Sequence, residues 1–269
     1  MNKPSQYFFR NQTDFLKENF VIDNETLLKE FNSSVEHFCF FTLEMDKIID
    51  NDYNYPQMYE NNTNTPYLAI KSHMKSVKGL SKIFPDDHLF WKILDDHQLQ
   101  YYSGLLKEKF DSRQQTLFTL QNFEEYAVNK HCLAYIPILG MDFLFTSKES
   151  ADNLVDIHTS LFKAIQMNDD IEDFQTDLVN KQWTYAHSQV HDFIIKNNLS
   201  NTSNLDRFEE RVLYVSGIAS ELAHYSRENF MIARNKAQKC NFQKIASWLD
   251  EVLSQMDENI KLIENLVTS

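Results

Sequence analysis

The chain has 269 residues, 42% of them hydrophobic, with only 4 Gly and 5 Pro, which allows one sizeable core and excludes folds built on many tight turns or Gly-rich phosphate loops. A formal net charge of −13, with no Lys/Arg-rich block to offset it, excludes a nucleic-acid backbone as partner and disfavours anionic membrane surfaces. No run of about 18 apolar residues occurs, no apolar signal-type run opens the chain, and Cys39, Cys132 and Cys240 lack metal spacing, so the expectation is a cytoplasmic protein with reduced, mostly buried thiols and no stable membrane insertion.

The composition and a persistent helical period predict an all-α protein, one domain over 23–269 preceded by a loose lead-in over 1–22 with one short helix. From Asp23, "DNETLLKEFNSSVEHFCFFTLEMDKIIDND" reads as one long or once-broken helix, followed by a loop over 51–66. A helix from Tyr67 to Phe84 comes next, and Pro85 with Asp86 makes a start for another. The pattern stays helical over 115–145 and 148–181, with a kink or break at Pro137 and Gly140. A polar turn over 198–206 precedes a helix running through Arg234, and the last helix covers 241–266.

Negative charge gathers in "QMNDDIEDFQTDLVNKQWTY". Asp169, Asp173 and Asp177 are four apart, so on a helix all three project from one face, where like charges repel unless something offsets them. Carboxylates on successive turns suit Mg²⁺, which takes one or two of them and fills its other positions with water and phosphate oxygens. The bland alternative is a solvated acidic face. A second pair, Asp46 and Asp50 in "LEMDKIIDND", is again four apart but embedded in an apolar helix, with Asp52 following. Two such faces could clamp metal ions between them. One and two turns inward from them, Thr42, Cys39 and Phe38 on one helix and Gln166, Ile165 and Phe162 on the other are the candidates for lining a cavity, with ordinary core packing as the alternative.

In these motifs the sequence resembles the class I isoprenoid (terpenoid) synthases. "QMNDDIEDFQTD" is similar to the second aspartate-rich motif of trans-prenyltransferases, with Gln166, Asp169, Asp170 and Asp173 in register and Asp177 beyond. "LEMDKIIDND" resembles the first acidic motif in its D-x-x-x-D form, and "EEYAVNKHCLAYIPILG" the helix whose lysine, here Lys130, contacts the allylic diphosphate. The resemblance covers roughly 25–235. It implies an antiparallel helical bundle of the isoprenoid synthase type around a central apolar cavity, three Mg²⁺ ions with substrate bound, and Asp46, Asp50, Asp169 and Asp173 as catalytic groups, with a homodimer as a possible assembly. The implied reaction is ionisation of a linear prenyl diphosphate. No Arg-Arg pair follows the first motif, no Gly-Gly-Lys stands near the N-terminus, and Lys181 follows Asn180 where Gly-Lys is usual. Cyclisation or quenching of one ionised substrate is therefore favoured over chain elongation or head-to-head coupling. A silent helical subunit modulating an active prenyltransferase is the reading from another class.

Other candidates read as structural. Asp95 and Asp96 lack an acidic partner at the required spacing, and Glu221 with His224 would need a second such pair to hold two irons. Lys71, Lys75, Lys78 and Lys82 form a basic stripe, read as a solvated face with contact to diphosphate as the alternative; His37 reads as a core histidine, and Trp183 and Tyr185 as packing, with a cap over the site as the alternative.

Overall fold

The computed structural model describes residues 4–50, 58, 65–199 and 206–268. Among them the chain is all-α apart from one two-stranded antiparallel ribbon, β1 (Phe20–Val21) with β2 (Thr146–Ser147), in which Phe20 pairs with Ser147. The helices are α1 (Pro4–Leu16), α2 (Glu25–Asp50), α3 (Thr65–Ile83), α4 (Leu89–Gln114), α5 (Leu120–His131), α6 (Ile136–Leu144), α7 (Ala151–Glu172), α8 (Phe174–Val179), α9 (Tyr185–Lys196), α10 (Phe208–Val215), α11 (Ile218–Lys239) and α12 (Gln243–Thr268). None of the described helices is long and apolar enough to cross a membrane. Most of the predicted loop over 51–66 and of the turn over 198–206 lies outside the described residues.

Local chemistry sets the helix ends. Asn24 caps α2 by accepting the Leu27 N–H at 3.0 Å. Helix α4 starts four residues beyond Pro85, because the His88 ring accepts the Phe90 N–H at 3.1 Å and takes the cap expected of Asp86. The expected break near Pro137 falls earlier, in a 3₁₀ turn over Cys132–Tyr135, and Pro137 sits in the first turn of α6, where its missing N–H costs nothing. The helix expected through Arg234 divides at Gly217, whose φ of 88° ends α10 and starts α11.

At the centre of the core, α7 buries Leu154, Ile157, Leu161, Phe162, Ala164 and Ile165. It packs against α11, which packs in turn against α12, and the Ser226 hydroxyl donates to the Ala164 carbonyl at 2.8 Å where α7 and α11 meet. Helices α2 and α3 pack along one another. The lead-in is not loose. Phe8 and Phe15, seven apart on one face of α1, are buried, and Phe8 stacks on Trp248 with ring centroids 5.4 Å apart. The cysteines also depart from expectation, since Cys132 is buried, Cys240 half-buried and Cys39 exposed.

Gly140 lies inside α6 because Phe31 of α2 occupies the space a side chain would need: an added Cβ would stand 2.3 Å from Phe31 Cζ. Gly140→Ala is expected to lower unfolding stability by about 1–3 kcal/mol, as overpacking does, despite alanine's better helix propensity. Urea denaturation reads the change, and an equal or higher midpoint would contradict the close approach.

Two buried histidines are locked neutral. In His158, Nδ1 donates to the Leu154 carbonyl at 2.8 Å, leaving Nε2 to accept from Gln12 at 3.2 Å. In His187, Nε2 donates to the Phe174 carbonyl at 2.9 Å and Nδ1 accepts from Thr184. Burial pushes both imidazoles down to about 4. The unfolded chain therefore binds more protons than the folded one between about pH 6.5 and 4. Their stabilising contribution is complete above that window and is lost as pH falls through it, on the order of 3 kcal/mol per residue. Urea midpoints at pH 7 and pH 4.5 should show this drop, and it should shrink in His158→Gln/His187→Gln.

Candidate functional site

The acidic stretch folds as a helix that breaks without losing register. Helix α7 ends at Glu172, Asp173 leaves helical geometry with ψ near 5°, and α8 begins at Phe174. Across the break the i→i−4 bonds persist, from the Asp173 N–H to the Asp169 carbonyl at 2.9 Å and from the Asp177 N–H to the Asp173 carbonyl at 2.8 Å. Asp169, Asp173 and Asp177 therefore keep helical spacing on one half-exposed face.

Asp170 stands about 100° round the helix from Asp169, and its environment is the opposite. It is 1% exposed, its Oδ1 accepts from Gln166 Nε2 at 2.7 Å and its Oδ2 from the Tyr185 N–H at 3.2 Å. Burial pushes its carboxyl up to about 7, against the lowering effects of the Gln166 bond and of Lys130. Asp170 and Gln166, expected at metal and substrate respectively, hold each other, and Asp170 also holds the start of α9.

Lys130, at the end of α5, projects into this region. Its side chain is 27% exposed, its Nζ donates to the Tyr126 hydroxyl at 3.0 Å, and Glu108 Oε1 of α4 stands 3.7 Å away. Burial alone would lower the ammonium's pKa, but Tyr126, Glu108 and Asp170 outweigh it and hold the group well above the ordinary lysine range. Glu108 is buried and also accepts from Gln182 at 2.8 Å, which ties α4 to the segment beyond α8. On the other side, the Tyr101 hydroxyl of α4 lies in the field of both Lys130 and Asp46; burial and the Asp46 charge hold that phenol well above the usual range.

Glu108, Tyr101 and Tyr126 were not among the sequence candidates. The signal was available: Tyr101, Leu105 and Glu108 share the buried register of α4, and an acid in an apolar register needs a partner. Tyr126 stands one turn before Lys130 on α5.

The remaining candidates fall differently. Asp46 is half-buried near the end of α2; the side chain of Asp50 lies outside the described residues, as does Asp52. Phe38, Thr42, Ile165 and Phe162 are buried within packed structure, and the rings of His131 and Tyr135 approach Phe162 with centroids 5.2 Å away. Cys39 is exposed, yet burial among surrounding groups pushes its thiol up to about 11. Lys181 is exposed in a left-handed turn with φ 58°. Arg227 pairs with Asp257 of α12, and Trp183 packs with its indole donating to the Thr116 carbonyl at 2.8 Å.

Among the described residues, no three His, Cys, Asp or Glu side chains stand close enough to cage a cation alone. The carboxylates of Asp169, Asp173, Asp177 and Asp46 nonetheless fit Mg²⁺, because they are hard oxygen donors and this ion needs only one or two from protein. The sequence matches no protein-family model and no curated protein.

Proposed function

We propose that the chain is a Mg²⁺-dependent terpene synthase of the class I isoprenoid type, whose fold is the corresponding helical bundle around an apolar cavity. The observation that carries this reading is the register kept across the α7–α8 break, which presents Asp169, Asp173 and Asp177 together while Lys130 stands charged beside Asp170. Mg²⁺ bound at the carboxylates would supply neutralisation of the diphosphate and so favour its departure.

The chain's own groups divide the remaining work. The Lys130 ammonium, kept protonated by Glu108 and Asp170, donates charge-assisted hydrogen bonds to diphosphate oxygens. Glu108 and Tyr126 fix its direction, and Gln182 couples that position to the acidic segment. As the carbon–oxygen bond breaks, its electron pair leaves with the diphosphate and an allylic cation remains. Loss of a proton or capture by a nucleophile ends the reaction. The chemistry needs no protein nucleophile, which accords with the lack of a Ser/His/Asp or Cys/His arrangement in the sequence.

Mass spectrometry of products from ten-, fifteen- and twenty-carbon prenyl diphosphates, with and without isopentenyl diphosphate, tests the reading. A hydrocarbon or alcohol from a single substrate supports it. Longer diphosphates formed only with isopentenyl diphosphate would assign elongation instead, and a dimeric product from two allylic substrates head-to-head coupling.

A further inference from the structure

Helix α3 contains Lys71, Lys75, Lys78 and Lys82 and no acidic residue, in a chain with 39 Asp and Glu against 26 Lys and Arg. All four lysines are exposed, and none has an ion-pair partner among the described residues. Beside them Tyr67, Ile70 and Met74 are exposed by 54%, 58% and 66%, and Val77 is exposed as well. At about 100° per residue, Val77, Ile70, Met74 and Tyr67 form one flank of the outward face and Lys78, Lys71, Lys82 and Lys75 the adjoining flank. The opposite face, through Ala69, Ser76 and Leu80, is buried.

We propose that this face of α3 docks the protein on an anionic lipid surface. The apolar flank would enter the boundary between headgroups and acyl chains while the lysines extend to lipid phosphates. The net charge of the whole chain does not decide the matter, because charges more than about 8–10 Å from the contact are screened at physiological salt. A second copy is a poorer occupant. Symmetric pairing would set one lysine stripe against its own equivalent. The Phe41 and His73 rings approach with centroids 4.5 Å apart, so the docking helix lies directly on α2, the helix that carries Asp46. The docking is independent of the reaction proposed above and stands whether or not the acidic faces ionise a prenyl diphosphate.

Sedimentation with phosphatidylcholine vesicles, with and without about 30% phosphatidylserine, tests this. The full chain should pellet with the anionic vesicles, stay in solution with the neutral ones, and be released as salt is raised. Lys71→Glu/Lys75→Glu/Lys78→Glu/Lys82→Glu should lower partitioning at least about 100-fold. Ile70→Ser/Met74→Ser, which leaves the charge unchanged, should lower it roughly tenfold. These positions are exposed, and circular dichroism with thermal unfolding checks that both variants fold. Equal binding to both vesicle types, no binding to either, or partitioning unchanged by lysine reversal would overturn the proposal. So would a wild-type dimer in light scattering that Ile70→Ser/Met74→Ser dissociates, which would assign the face to a second copy.

Discussion

Asp173→Ala and Asp46→Ala are each expected to slow diphosphate release by about 100- to 1000-fold, the scale on which removing one electrostatic partner of a leaving anion acts. The loss should fall on kcat, because in the proposed reaction the charge that these carboxylates would offset through Mg²⁺ grows as the carbon–oxygen bond breaks. Asp170→Asn should behave differently. Both Asp170 oxygens already serve Gln166 and Tyr185, so the change should lower thermal stability before it affects the requirement for Mg²⁺. Full activity in both Asp173→Ala and Asp46→Ala would remove these residues from the site.

Lys130→Ala is expected to weaken pyrophosphate binding by roughly 10- to 100-fold in calorimetry, the cost of a charged hydrogen bond, and also to destabilise the fold. With the ammonium gone, the buried Glu108 loses the cation beside it, a situation that costs more than the pair contributes when intact. Lys130→Ala/Glu108→Gln should therefore regain thermal stability relative to Lys130→Ala alone while pyrophosphate binding stays weak. A double variant no more stable than Lys130→Ala would mean that Glu108 is not the partner that holds Lys130.

The fold class was legible in the sequence because helical period and scarcity of Gly and Pro are local properties. Helix ends were less so. The cap at His88 and the break at Asp173 depend on which polar group reaches a backbone N–H, and several neighbours compete for each. The acidic spacing was read correctly as far as Asp169, Asp173 and Asp177 share a face, but Asp170 lies a quarter-turn away, where packing against α9 turns it inward. Phe162 and Ile165 show the same limit, since a side chain one turn from a site fills the core or faces open space according to what the neighbouring helices bring. Glu108 escaped notice because its partners, Lys130 and Gln182, are distant in sequence and meet it only after α4, α5 and the segment beyond α8 have packed.

The central claim is that the carboxylates and Lys130 together release diphosphate from a prenyl chain. Its most direct test is the time course of inorganic pyrophosphate release from geranyl, farnesyl and geranylgeranyl diphosphate, with Mg²⁺ and with the ion removed by chelation. The account predicts one pyrophosphate per substrate consumed, with Mg²⁺ only, from at least one of the three. No release from any of them, or release at the same rate without the metal, would contradict it.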